Sequence, residues 1–106
     1  MNNKNNRTIL PEKRILFLGG HQNMVKKLRQ QFPKWTYVPD DKLRRYPNIN
    51  HKIVFYWTKH SSHSKMEHVY NKLSDDAEIL YVTATNIPLL IDEMQNKYRN
   101  LNTVIQ

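Results

Sequence analysis

Two short apolar runs, Arg14–Leu18 and Ile53–Trp57, constrain the fold of this chain more than any other feature. Neither run alternates with polar residues, and strands of this kind are buried on both faces of a parallel sheet. After each run come a polar turn and then apolar residues at helical spacing, at Met24–Phe32 and again at Met66–Leu73. The pattern therefore predicts an α/β fold in which the two runs are central strands.

Two further strands and two further helices complete the alternation. The segment Trp35–Val38 alternates and is flanked by prolines, which is typical of an edge strand, and Glu78–Val82 is predicted as the fourth strand. A short helix is predicted from the Asp40–Asp41 pair through Arg45. Asn86 is a suitable cap for a last helix with a proline in its first turn. The predicted element order is βαβαβαβα.

Right-handed crossovers leave few possible orders for four such strands. With the two most apolar strands in the middle, the order is 2-1-3-4, a small doubly wound, Rossmann-like or flavodoxin-like three-layer sandwich. The winding direction reverses between strands one and three, and ligands bind outside the carboxyl ends of the strands at such a point. Residues 1–12 are predicted to be a flexible polar arm, and residues 13–106 a single domain.

Composition excludes several classes of protein. The chain has no cysteine, which excludes disulfides, thiolate metal sites and thiol nucleophiles and suits a reducing cytoplasm. Its apolar runs fall far short of the roughly 20 residues that a membrane helix needs. We therefore expect a cytoplasmic protein with no membrane partner.

Positive charge is concentrated in the first part of the chain. Residues 1–60 hold 13 Lys and Arg and three acids, whereas residues 61–106 hold four Lys and Arg and six acids. Two interpretations stay open, a solvated face that aids solubility or a nucleic-acid partner bound through its phosphates, with an exposed tryptophan available to stack on a base. The candidate nucleic-acid-binding residues are Lys26, Lys27, Arg29, Lys34, Trp35, Arg44 and Arg45.

The two glycines of the chain are adjacent, directly after the first strand. Glycines there allow a tight turn and bring backbone N–H groups to the start of a helix, where an anion is favoured. The polar loop after strand three and the end of strand four are predicted to meet this turn and form a phosphate-binding crevice. The alternative is that these residues are only helix caps and a turn. The predicted ligand-binding residues are Gly19, Gly20, His21, Gln22, Asn23, Thr58, Lys59, His60, Ser62, His63, Thr85 and Asn86.

Known cofactor and catalytic motifs are not found in the sequence. The adjacent glycines fit neither G-x-G-x-x-G nor a P-loop, so we predict no nucleotide cofactor. His60 and His63 could hold a metal or haem with His21, or serve as a base with a serine nucleophile. The only carboxylates near the crevice are Asp40 and Asp41, which double as caps, and no nucleophile, base and acid occur at a recognisable spacing. We therefore expect no bound metal and no enzymatic activity.

Three segments carry a family resemblance: "KRILFLGGHQNMVKKLRQQFP", "IVFYWTKHSSHSKM" and "ILYVTATNIPLLIDEM". Together they resemble the bacterial domain of unknown function family 2325, a small Rossmann-like domain, over about residues 13–98. The most specific pieces are the Gly19-Gly20-His21 turn and the Ser62-His63 pair. The resemblance implies the α/β fold and a bacterial or mobile-element origin. Thiol-based ligation in cysteine-bearing relatives cannot carry over to a chain without cysteine.

The sequence thus predicts a non-enzymatic protein that binds an anionic group, a nucleotide or a nucleic-acid phosphate, at the switch point between strands one and three. The alternative is a protein-interaction module, such as a homodimer that pairs through the edge strand at Trp35–Val38.

Overall fold

Four strands alternate with helices in a computed structural model of the protein, which describes residues 9–45, 51–59 and 62–105. The strands are β1 (Lys13–Leu18), β2 (Lys34–Val38), β3 (Ile53–Trp57) and β4 (Glu78–Val82). The helices are α1 (Gln22–Gln31), α2 (His63–Tyr70) and α3 (Ile87–Ile105), and a 3₁₀ helix spans Asp40–Arg45. The predicted alternation is confirmed, except that the second helix is 3₁₀ rather than α. A six-residue segment is too short to stabilise an α-helix, and short pieces commonly take the tighter form.

The sheet is entirely parallel and has the predicted order β2-β1-β3-β4. Phe17 of β1 aligns with Tyr37 of β2 on one side and with Phe55 of β3 on the other. In turn, Phe55 aligns with Leu80 of β4. Because β1 and β3 are neighbours and their connections run to opposite edges, the switch point lies between their carboxyl ends.

Helices cover both faces of the sheet, and a hydrophobic core lies beneath each layer. On one face α1 and α3 pack over a core that includes Phe17, Leu28, Phe55, Leu90 and Met94. On the other face α2 and the 3₁₀ helix cover a second core, which includes Leu16, Leu43, Val54, Tyr56 and Val69. None of the helices within the described residues is both long enough and apolar enough to cross a membrane.

The domain begins earlier than the predicted boundary at residue 13. Leu10 is buried in the core, with only 6% of its surface exposed. The Ile9 N–H donates to Gln95 Oε1 of α3 at 3.3 Å, and the Pro11 carbonyl accepts the Trp35 indole N–H at 2.9 Å. Residues 9–12 are therefore part of the domain, while residues 1–8 lie outside the described part of the chain.

Both tryptophans are buried, each with 5% of its surface exposed. Trp35 stacks on Phe32, with ring centroids 4.2 Å apart, and the Trp57 indole N–H donates to the Ala84 carbonyl at 2.8 Å. The prediction that Trp35 stacks on an unpaired base is therefore wrong, because its ring is buried against Phe32 and its N–H is bonded to the N-terminal segment. Tyr46, the other aromatic considered for this role, lies outside the described residues.

Candidate functional site

The glycine turn after β1 is required by the sheet itself. Gly19 and Gly20 have φ angles of 90° and 87°, which residues with a side chain rarely adopt. A Cβ on Gly19 would lie 2.5 Å from the Trp57 carbonyl oxygen, whereas a Cβ on Gly20 would lie 3.3 Å from Cε3 of the Trp57 ring. The close neighbour that the glycines accommodate is therefore the end of β3.

Backbone hydrogen bonds anchor this turn to the end of β2. The Gly19 N–H donates to the Val38 carbonyl at 2.8 Å, and the Asp40 N–H donates to the Gly20 carbonyl at 3.1 Å. The predicted role of Gly19 as a ligand donor is therefore wrong, since its N–H group is already paired. The same bonds bring Asp40 to the switch point.

His21 is the N-cap of α1. Its Nδ1 accepts the Asn23 backbone N–H at 3.2 Å, so the neutral ring carries its proton on Nε2. Beside it, Gln22 Nε2 donates to Asp41 Oδ2 at 3.2 Å. Of the three predicted ligand residues at 21–23, two therefore take part in capping α1 and the third contacts a carboxylate.

A crevice of about 210 Å³ lies at the switch point and is lined by Gly20, His21, Asp40 and Trp57. It is smaller than the roughly 300–1,000 Å³ typical of pockets for whole small molecules, so it can admit a single group such as a phosphate. Sequence reasoning anticipated Gly20 and His21 as ligand contacts. It also placed Asp40 near the crevice, as a carboxylate that doubles as a cap, but it did not place Trp57 here.

An ion pair borders the crevice. Lys65 Nζ of α2 lies 2.6 Å from Asp40 Oδ2, and the two side chains are 24% and 26% exposed. Partial burial makes this contact stronger than a surface pair. Because Lys65 offsets Asp40 while Asp41 lies nearby on the 3₁₀ helix, the crevice is more nearly balanced in charge than the cationic site that the sequence predicted.

Other predicted ligand residues at this edge are used within the fold. Ser62 Oγ accepts the Lys65 N–H at 3.3 Å as the N-cap of α2, and Asn86 Oδ1 accepts the Leu89 N–H at 3.0 Å at the start of α3. The Thr58 N–H donates to the Val82 carbonyl at 3.1 Å. The sequence left open the alternative that these residues are only helix caps and turn residues. That alternative accounts for the contacts observed here.

The rest of the predicted set is exposed or outside the described residues. Lys59 and Thr85 are exposed. His60 and the side chain of His63 lie outside the described part, so the metal site considered for them with His21, like the expectation that no metal binds, stays untested. Within the described part, no group of three or more His, Asp or Glu side chains is placed to hold a metal ion.

A larger cavity, about 540 Å³, lies at the opposite end of the strands, between the amino ends of β1 and β3. Its walls include Pro11, Ile15, Ile53 and His51, and burial lowers the pKa of His51. None of the predicted site residues reaches it. We assign the candidate site to the carboxyl edge, where the ends of the parallel strands, the α1 N-terminus and the Lys65–Asp40 pair converge.

The exposed surface of α1 is uniform in chemistry. Its exposed side chains all carry N–H donors and none is acidic: Gln22, Asn23, Lys26, Lys27, Arg29, Gln30 and Gln31. Within the described residues no carboxylate lies within ion-pair distance of its three cations. The Arg29 guanidinium lies 5.2 Å from the centre of the Tyr37 ring, which holds it against β2.

The other predicted nucleic-acid residues, Lys34, Arg44 and Arg45, lie outside α1. Lys34 pairs with Glu12 at 2.9 Å, and this bond raises the pKa of Lys34 and lowers that of Glu12. The backbone at Arg44 and Arg45 belongs to the 3₁₀ helix, on the face of the sheet opposite α1, and their side chains lie outside the described part. Whether these cations form one patch with those of α1 therefore stays untested.

The chain matches no family model, no curated protein and no solved structure. Its function is therefore inferred from the geometry and charge of its own residues.

Proposed function

We propose that this protein is a non-enzymatic binding protein for the phosphate groups of nucleic acid, and that α1 is its contact surface. The observation that carries the proposal is the composition of the exposed face of α1, where Lys, Arg, Gln and Asn occur without any acid. Lys and Arg supply the charge that phosphates require, while amide side chains donate hydrogen bonds to phosphate and sugar oxygens.

Binding on this surface is expected to depend on charge and not on base identity. Both tryptophans are buried, and no helix-turn-helix, zinc-finger or ribonucleoprotein motif occurs in the sequence. Arg29 is positioned by the Tyr37 ring, which restricts its side chain before any ligand arrives. Because the exposed side chains of α1 include no aromatic residue, duplex and single strands should both bind, and the duplex should show the steeper salt dependence.

The magnitude of the salt effect follows from the number of cations on α1. If Lys26, Lys27 and Arg29 each neutralise one phosphate, the affinity for duplex DNA falls with a logarithmic slope of about 2.7. Raising the salt from about 50 to about 150 mM then weakens binding by roughly 20-fold, against roughly 10-fold for a single strand.

The crevice at the amino end of α1 is the second part of the proposal and takes one phosphate group. The helix dipole, the His21 Nε2–H and Lys65 favour an anion there, while Asp40 opposes it. Asp40→Asn removes that opposing charge and frees Lys65, so it should tighten the binding of inorganic phosphate. The matched control is Asp41→Asn, which removes the same charge from a residue that does not line the crevice.

Fluorescence anisotropy of labelled oligonucleotides tests the α1 surface directly. The variant is the triple substitution Lys26→Gln, Lys27→Gln and Arg29→Gln, which we expect to abolish most of the salt-dependent binding. A control triple removes the same charge from other surfaces: Lys52→Gln, Lys72→Gln and Arg99→Gln. If both triples weaken binding equally, or wild type shows no binding at about 50 mM salt, α1 is not a nucleic-acid surface.

Thermal shift with inorganic phosphate tests the crevice separately from α1. Equal shifts in Tm for wild type, Asp40→Asn and Asp41→Asn would refute phosphate binding in the crevice. That result would not affect the proposal for the α1 surface. Membership of the family of domain of unknown function 2325, a bacterial or mobile-element origin and a cytoplasmic location stay predictions, and neither test depends on them.

A further inference from the structure

The edge strand β4 has one paired side and one open side. On the paired side, the Glu78 N–H donates to the Lys52 carbonyl at 2.7 Å, and the Val82 carbonyl accepts the Thr58 N–H at 3.1 Å. The N–H and C=O of one residue lie on the same side of a strand, and the side alternates along the chain. The even-numbered residues of β4 therefore direct their backbone groups toward β3.

The odd-numbered residues, Ile79 and Tyr81, consequently direct theirs toward the open side. Within the described residues β4 pairs with β3 alone, and the backbone groups of Ile79 and Tyr81 have no backbone partner there. Two N–H and two C=O groups in sequence are thus available to another strand.

The N–H groups on either side of this unpaired segment, those of Ala77 and Thr83, form hydrogen bonds within the domain. Before it, the Ala77 N–H donates to the Ser74 carbonyl at 3.1 Å. After it, the Thr83 N–H donates to the Glu93 carboxylate at 2.9 Å. The unpaired stretch is therefore limited to Ile79–Tyr81, whose centre is Leu80.

Grooves flank this edge on both faces of the sheet. One, of about 330 Å³, lies on the α3 side and is lined by Leu80, Lys97 and Leu101 among others. The other, of about 420 Å³, lies on the α2 side and includes Tyr70, which is 59% exposed, and Leu73. Successive side chains of a strand point to opposite faces, so a strand added here would place its side chains alternately beside the two grooves.

We propose that this edge pairs antiparallel with β4 of a second copy of the chain, giving a continuous eight-stranded sheet. With a two-fold axis at Leu80, Ile79 lies opposite the partner's Tyr81, and Tyr81 lies opposite the partner's Ile79. Both are hydrogen-bonded pairs, so all four open N–H and C=O groups of each copy are used in four bonds.

Side chains and charges agree with this register. Ile79 and the partner's Tyr81 form a β-branched and aromatic pair, and the two Leu80 side chains meet at the axis as a non-hydrogen-bonded pair. Glu78 lies opposite the partner's Val82, so no like charges face each other within the two paired strands. β2 belongs to the basic first part of the chain and lies at the edge of the sheet far from β4. In the dimer the β2 strands of the two copies therefore lie at opposite ends of the sheet, which keeps their positive charge apart.

The β2 edge, through which the sequence suggested a homodimer as the alternative function, carries features that oppose strand addition. Pro33 and Pro39 flank the strand, Lys34 begins it, and the Trp35 N–H donates to the Phe32 carbonyl at 3.4 Å. Prolines and lysines at an edge are features that prevent strand addition. The open edge of the sheet is therefore β4, and the proposed dimer is independent of nucleic-acid binding.

Single cysteines test the register, because the chain contains none of its own. Two Leu80 positions at the axis would have Cα atoms about 4.5 Å apart, within the range that a disulfide spans. Leu80→Cys should therefore cross-link to itself under mild oxidation, whereas Thr36→Cys on β2 should not. Equal rates for the two variants would overturn the proposed register.

Sedimentation equilibrium tests the association itself, at high salt to suppress repulsion. Wild type should dimerise as its concentration rises, Leu80→Lys should be monomeric because it places two lysines opposite each other, and Thr36→Lys should still dimerise. Circular dichroism melting checks that both variants fold. A monomeric wild type up to about 200 μM, or a dimer that Thr36→Lys and not Leu80→Lys dissociates, would refute pairing through β4.

Discussion

Gly19→Ala should be among the most destabilising single-methyl changes in this protein. Two costs add at this position. A φ of 90° costs a residue with a Cβ on the order of 1–3 kcal/mol, and the new methyl group would lie 2.5 Å from the Trp57 carbonyl oxygen. That neighbour is backbone in a central strand, so relief of the contact requires β1 and β3 to separate.

Gly20→Ala is the matched control, because Gly20 has nearly the same φ angle. Its new Cβ would meet the Trp57 ring at 3.3 Å, and a side chain can yield by a few tenths of an ångström. Alanine lowers the conformational entropy of the unfolded chain by about the same amount in both variants. This effect offsets roughly 0.4–1 kcal/mol of the loss in unfolding free energy in each. The difference in unfolding free energy between the variants therefore isolates the backbone contact.

Urea denaturation followed by circular dichroism measures that difference. We expect Gly20→Ala to lose about 1–2 kcal/mol and Gly19→Ala about 3 kcal/mol or more, a large fraction of the stability of a small domain. For a domain of this size each kcal/mol corresponds to roughly 4–8 °C in Tm. Equal losses in the two variants, or a smaller loss for Gly19→Ala, would refute the explanation of the glycine pair by the proximity of β3.

Three further predictions concern stability. Burial lowers the pKa of His51 below its ordinary value of 6.5, so the unfolded chain binds a proton more readily than the folded one. The free energy of unfolding is therefore independent of His51 protonation above pH 6.5 and decreases as the pH falls below that value. His51→Gln should flatten the pH dependence of Tm in that range, and an unchanged pH profile would contradict this assignment. Leu10→Ala should cost about 2 kcal/mol in urea denaturation, and no loss would mean that the N-terminal segment does not pack on the domain. Glu93→Gln weakens the charge-assisted bonds to the N–H groups of Thr83 and Ala84 and should cost about 1 kcal/mol, with Asp92→Asn on the exposed side of α3 as the control for charge.

Most of the fold was predictable because it depends on local patterns. The continuous apolar runs identify β1 and β3 as central strands, and their positions then determine the order of all four. The Asn86 cap was also predictable, since capping involves residues only three positions apart. Leu10 was missed because a single leucine in a polar segment has no periodicity that would mark it as buried.

The candidate site was predictable only in its location. The Gly19–Gly20 turn indicated the switch point, but no sequence signal links Lys65 with Asp40, which are 25 residues apart and meet only after the sheet is assembled. The charge of the crevice could not be derived without that pair. In the same way, an alternating edge strand does not reveal whether Trp35 faces solvent or the protein. Here its ring stacks on Phe32 and its N–H donates to the Pro11 carbonyl.

The positions of the two buried indoles make each a separate optical reporter. Trp57 lines the crevice, while the Trp35 indole N–H donates to the Pro11 carbonyl of the N-terminal segment. In Trp35→Phe the remaining emission comes from the crevice alone, so a group that enters there changes intensity or wavelength with no background from the other ring. In Trp57→Phe the emission instead follows the attachment of the N-terminal segment. The natural chain therefore carries an intrinsic fluorophore at each of two distant points of one sheet, and either can be followed without any attached dye.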